Sequence, residues 1–116
     1  MAGMIRNAYT AVLARGETWE GEVHTEPYEA AWAAEALFFV RVMQVQGGAG
    51  SVATARVQIS PDGMHWVDEG ASMAIQAQTE SLCFARVNQF GGWLRLAVTL
   101  PAGMAVQVVA TLALKG

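Results

Sequence analysis

The chain is poor in charge, in cysteine and in histidine, and each shortage argues against a class of function. Asp, Glu, Lys and Arg make up 15% of its 116 residues, where roughly 25% is usual for a soluble domain. Seven basic residues against ten acidic ones leave a net charge of −3. No stretch gathers Lys and Arg into a stripe, so nucleic acid is not an expected partner. Cys83 is the single cysteine; no intramolecular disulfide can form, and nothing points to an oxidising compartment. The two histidines, His24 and His65, have no Cys or carboxylate at ligand spacing, so no metal site is expected. The N-terminal stretch MAGMIRNAYTAVLARGE lacks the continuous apolar core of a signal peptide. No apolar run reaches the about 20 residues that cross a bilayer as a helix. The expectation is synthesis in the cytoplasm, with no membrane partner.

What the chain has in excess is apolar surface. Hydrophobic residues account for 53% of it, more than the small interior of one domain of this length can hide. Contiguous apolar surface marks partner interfaces. The expected partners are copies of the chain itself, in a homo-oligomer, and a larger protein lattice.

Period-two alternation dominates, as in strands with one buried face. In residues 51–60, Ala53, Ala55, Val57 and Ile59 oppose Thr54, Arg56 and Gln58. In residues 93–100, Leu94, Leu96, Val98 and Leu100 oppose Trp93, Arg95, Ala97 and Thr99. In residues 105–115, Val106, Val108, Ala110, Leu112 and Leu114 form one row. Residues 37–46 are apolar on both faces apart from Arg41 and the glutamines, the pattern of a central strand covered on both sides. Weaker strand patterns occupy residues 9–13, 18–24, 73–78 and 82–87. Turn signals separate the strands: Gly47-Gly48-Ala49-Gly50, Ser60-Pro61-Asp62-Gly63, Gly91-Gly92 and Pro101-Ala102-Gly103. The expected fold is all-β, an antiparallel sandwich of jelly-roll or Greek-key type with about eight strands. Residues 1–16 are expected to form an N-terminal strand or arm, set off by Gly16 from a single sandwich domain over residues 17–116. Residues 25–36, TEPYEAAWAAEA, combine a possible N-cap at Thr25, Pro27 in a first turn and many alanines, so a short helix or an extended lead-in is expected there.

No constellation of catalytic residues emerges. The serines sit in no nucleophile elbow, and Cys83 lies mid-strand in LCFARV without a base, so its expected role is a small buried hydrophobe. The glycines at 47, 48 and 50 are followed by no Lys-Ser or Lys-Thr and open no helix, which leaves them as hairpin glycines. Glu17, Glu20, Glu22, Glu26, Glu29 and Glu35 match no ligand loop; like Asp68 and Glu69 they read as solvated positions. No enzyme activity and no cofactor are expected.

The most informative segment is Val57-Gln58-Ile59-Ser60-Pro61-Asp62-Gly63-Met64-His65-Trp66-Val67. It reads as a hairpin in which Pro61 presets φ, Gly63 takes a positive φ, Asp62 accepts hydrogen bonds from turn amides, and Trp66 folds back as an apolar lid. Ser60, Pro61, Asp62, Gly63 and Trp66 are therefore the expected structural turn.

Three segments, VQISPDGMHWVDEG, RVNQFGGWLRLAVTL and VQVVATLALKG, together resemble small β-sandwich structural proteins of tailed phages and related elements. The shared pattern is a strand ending in Ser-Pro-Asp-Gly-x-x-Trp, a Phe-Gly-x-Trp/Tyr-x-Arg strand, and a final apolar strand closing with a Lys near the C-terminus. It covers residues 37–116. The resemblance implies a virion accessory role, such as a capsid decoration, head or tail subunit, located in the assembled particle and without enzymatic activity. Trp19, Trp32, Trp93 and Arg95 are the candidate interface residues, with Arg95 placed to stack on an aromatic or to pair with a carboxylate. The competing reading is a glycan-binding or surface-polymer-binding module with Trp19, Trp32, Trp66 or Trp93 as its stacking platform.

Overall fold

A computed structural model describes residues 8–88 and 90–116. Nine antiparallel strands follow in chain order: β1 Ala8–Glu20, β2 Glu22–His24, β3 Tyr28–Glu29, β4 Glu35–Gly47, β5 Val52–Ser60, β6 Val67–Gln76, β7 Leu82–Asn88, β8 Trp93–Thr99 and β9 Ala105–Lys115. They form two sheets. The first has the order β1-β9-β4-β7; the second has the order β2-β8-β5-β6, with β3 also pairing β8. Because β2 and β3 share one flank of β8, they are one interrupted strand position. The result is two facing four-position sheets whose order is that of a jelly roll. The sandwich expected from the alternation is therefore present.

The core forms because each strand commits one face to it. In β9, Val106, Val108, Ala110 and Leu112 are fully buried and Leu114 nearly so, while the residues between them stay half-buried. From the opposite sheet, Val57, Leu94, Leu96 and Val98 meet this row at 0% exposure. At one end of the sandwich the β4–β5 loop lies directly on the turn between β8 and β9. A Cβ on Gly47 would stand 2.7 Å from the Gly103 carbonyl oxygen, and one on Gly48 would stand 2.8 Å from the Met104 Cα. Glycine is there because two backbones touch.

Residues 25–36 form no helix; they run extended, with the two residues of β3 and a turn at Ala31 and Trp32. The reason is tertiary: the Thr25 N–H donates to the Leu96 carbonyl and its hydroxyl accepts the Leu96 N–H, while the Ala30 N–H donates to Gly92 O. These bonds hold the backbone against β8 and its lead-in, and a helix this short has little intrinsic stability to set against them. β4 is central, between β9 and β7, but among the described residues it is covered on one side only: Ala36, Phe38, Val40 and Val42 are buried, whereas Leu37, Phe39 and Arg41 are half-buried and Met43 is exposed. Of the N-terminal strand or arm expected over residues 1–16, residues 8–16 belong to β1, which pairs β9 and runs on through Gly16 at a break in register. Residues 1–7 lie outside the described residues.

Candidate functional site

The β5–β6 hairpin is held by a small set of side chains acting on backbone amides. Ser60, at 2% exposure, accepts hydrogen bonds from the N–H groups of Asp62 and Gly63 and donates its hydroxyl proton to Asp62 Oδ1. The same carboxylate oxygen accepts the N–H groups of Met64 and His65, both at 2.9 Å, and Oδ2 takes the His65 Nδ1–H at 2.6 Å. These donors, the His65 amide first, hold the Asp62 carboxyl far below the ordinary carboxylate range. Gly63 has φ +80°, and a Cβ on it would press on the Trp93 indole at 3.2 Å. The turn is therefore seated on Trp93. Pro61 lies at its edge and helps line a shallow hollow of about 250 Å³ with Ile59, Val67 and Phe90.

Beside the turn, three side chains in register cross the outer face of the second sheet: Asp68 on β6, Gln58 on β5 and Arg95 on β8. Gln58 donates its amide to Asp68 at 3.0 Å and accepts the Arg95 Nε–H at 2.8 Å. Arg56 adds an ion pair to Asp68 at 3.2 Å. The hydrogen bond from Gln58, with help from Arg56, pulls the Asp68 carboxyl below its usual value against the opposing effect of burial. The Arg95 guanidinium lies over Trp66, 4.3 Å from the ring centroid, and burial lowers its pKa.

Of the residues singled out in the sequence, the structure gathers Ser60, Asp62, Gly63, Trp66, Trp93 and Arg95 into this one corner. Trp19 is elsewhere, in the core at 1% exposure, its indole N–H donated to Glu17. It is unavailable to an interface. Trp32 is 48% exposed in the link between β3 and β4.

A second surface was not assembled by sequence reasoning. On the outer face of the first sheet, Val12, Thr111, Phe39 and Phe84 are paired in one row across all four strands. Phe39 and Phe84 stand 6.2 Å apart between centroids. Leu37, Val109 and Ala113 flank the row half-buried, and Leu82 and Phe84 on β7 are 63% and 53% exposed. Charges are interspersed here: Arg41, in register between Val109 and Leu82, pairs Glu80 at 3.3 Å, and Arg86, opposite Leu37, lies 5.9 Å from the Phe84 centroid. The available signal was the double-sided apolar pattern of residues 37–46, whose outer half faces solvent. Cys83 points the other way, half-buried beside the Val40 carbonyl, and burial raises its thiol pKa.

No protein-family model matches the chain, and no curated protein matches it in sequence. Similarity is found among solved structures. The SPBc2 prophage-derived protein YomS superposes with a TM-score of 0.64 at 7% identity, over 100% of this chain and 99% of that one. A chain of infectious bursal disease virus, Gx strain, superposes with a TM-score of 0.56 at 16% identity, over 97% of this chain. The match spans 32% of the viral chain. At these identities the likeness establishes a shared fold, and both neighbours are of phage or viral origin. Among the described residues, no helix is long and apolar enough to cross a membrane.

Proposed function

We propose that the protein is a non-enzymatic structural subunit that self-associates through the outer face of the β1-β9-β4-β7 sheet, as an accessory or decoration subunit of a phage-type particle. The observation that carries this reading is the row Val12–Thr111–Phe39–Phe84 with Leu37, Leu82 and Val109 around it. Four strands expose aliphatic and aromatic side chains on one face, while the opposite face of the sandwich carries the Asp68–Gln58–Arg95 row and the Glu22–Thr99 hydrogen bond. Burying a large apolar side chain is worth about 1.5–3 kcal/mol, so leaving several in water on one side is a standing drive to association. Arg41, in register with Val109 and Leu82, and Arg86, opposite Leu37, set two arginines among these side chains, and Arg is a residue type enriched at interfaces. The phage and viral origin of the fold's neighbours supports the particle context.

The test is the solution mass. Native mass spectrometry and light scattering are expected to give a discrete multiple of the 12.4 kDa chain. Phe84→Glu, on an exposed position, is expected to return the protein to a folded monomer. A wild-type chain that stays monomeric at high concentration would sink the reading.

A further inference from the structure

The end of the sandwich that carries the hairpin also carries three aromatic rings that the hairpin does not use. Tyr9 near the start of β1, Tyr28 on β3 and Trp32 in the link to β4 line, with Ala8, an open hollow of about 410 Å³. The tyrosines come from opposite sheets, yet their rings stack, with centroids 6.5 Å apart and planes 25° from parallel. Tyr9 is 55% exposed and Trp32 48%. Burial, and then a hydrogen bond to Tyr9, raises the pKa of the Tyr28 phenol, so its proton is firmly held.

We propose that this hollow is a carbohydrate-binding site, in which a pyranose ring lies against the exposed aromatic faces of Tyr9 and Trp32 and the two phenols hydrogen-bond its hydroxyl groups. A pyranose presents an apolar C–H face and a polar rim, and the hollow offers flat aromatic surface beside hydroxyl groups that both donate and accept. Other ligand classes fit less well. A wholly apolar ligand needs a pocket that encloses about 70–90% of its surface, and this one is open. A nucleotide needs cations at its phosphates, and among the described residues no Lys or Arg lines the hollow. A quaternary ammonium group favours rings that converge around it as a cage, whereas the tyrosines lie nearly parallel. The site is separate from the association face: Tyr9 shares its side of β1 with Ala11, and Val12 points to the other. The inference therefore does not rest on the proposed self-association.

The experiment is saturation-transfer NMR with tryptophan fluorescence, titrating the purified chain with glucose-, mannose-, galactose- and N-acetylglucosamine-based hexasaccharides and, separately, choline chloride. Transfer to the ring protons of at least one hexasaccharide is expected. Trp32→Ala and Tyr9→Ala should each weaken that binding about five- to tenfold, the scale of one aromatic contact. Tyr9→Phe, which keeps the ring and removes its hydroxyl, should cost less than Tyr9→Ala. Phe84→Glu should leave binding unchanged, whatever it does to the oligomer. No transfer from any hexasaccharide at millimolar concentration, binding indifferent to Trp32→Ala and Tyr9→Ala, or saturable binding of choline alone would each overturn the assignment.

Discussion

The Arg95 guanidinium lies 4.3 Å from the centroid of the Trp66 ring and is held there by Gln58, which accepts its Nε–H at 2.8 Å. Trp66 comes from just before β6 and Arg95 from β8, so the contact ties the far end of the hairpin to the strand on the other side of β5. A flat cation is needed, because a planar guanidinium can stack and donate sideways at once, which an ammonium cannot. Arg95→Ala is expected to cost about 1–2 kcal/mol, combining one cation–π contact and one hydrogen bond. Arg95→Lys should recover less than half of the loss in urea denaturation. A lysine variant as stable as wild type would show that charge alone suffices.

Gly63→Ala tests the seat of the turn. The residue sits at φ +80°, and the added methyl would meet the Trp93 indole at 3.2 Å. The left-handed conformation alone costs a non-glycine residue about 1–2 kcal/mol, and the ring must also shift. The expected outcome is a lowered melting temperature together with a changed tryptophan emission maximum. A stability loss with no spectral change would mean that Trp93 is not what the turn rests on.

Ser60→Ala removes a nearly buried hydroxyl that serves two amides and a carboxylate. Leaving those turn amides unsatisfied is expected to cost about 1–3 kcal/mol, seen as faster hydrogen exchange at Asp62 and Gly63 than at strand amides of β8. Uniform exchange across the chain would contradict a local role.

The pH dependence of the hairpin follows from Asp62. Its carboxyl is held far below the ordinary range by the His65 and Met64 amides and the His65 ring. A group with a depressed folded-state pKa contributes stability that is present above its unfolded value, about 3.9, and lost as pH falls through the folded one. Wild type should therefore keep the Met64 and His65 amides protected down to about pH 4 and lose stability only below it. Asp62→Ala should show a shallower acid slope, though not a flat one, because the Asp68 carboxyl is also depressed. Parallel acid slopes for the two proteins would remove Asp62 from the account.

The strands that were easiest to read in the sequence are those whose two faces differ. β5, β8 and β9 alternate over most of their length because one face meets the opposite sheet and the other stays exposed or half-buried, so burial is written into the residue order, with Ala97 on β8 an exception buried on the outer row. β4 was legible as a central strand but misread in its environment: Leu37, Phe39 and Met43 look like core residues in one dimension, and only the sheet order shows that no other described strand covers their face. Thr25 illustrates the opposite failure. Its suitability as an N-cap is a local property, while the Leu96 backbone that it actually bonds is 71 residues away. The row Val12–Thr111–Phe39–Phe84 and the trio Tyr9, Tyr28 and Trp32 were illegible for the same reason, since each draws on strands far apart in the chain.

A paired substitution separates the two kinds of exposed and buried aromatic on the first sheet. Phe38 and Phe84 lie on neighbouring strands, β4 and β7, but Phe38 faces the core at 0% exposure and Phe84 faces outward at 53%. Phe38→Ala opens a cavity and is expected to cost about 3–5 kcal/mol, a large share of the about 5–15 kcal/mol that holds a domain together. Phe84→Ala removes little that the isolated fold needs and should cost under about 1 kcal/mol when the protein is dilute and monomeric. At concentrations where the wild type associates, the order should narrow, because the monomer–oligomer equilibrium adds to the apparent stability of the wild type and not to that of the Phe84 variant. Denaturation midpoints measured across a concentration series check this. A Phe84→Ala midpoint that rises with concentration as steeply as wild type would place the association surface elsewhere on the molecule.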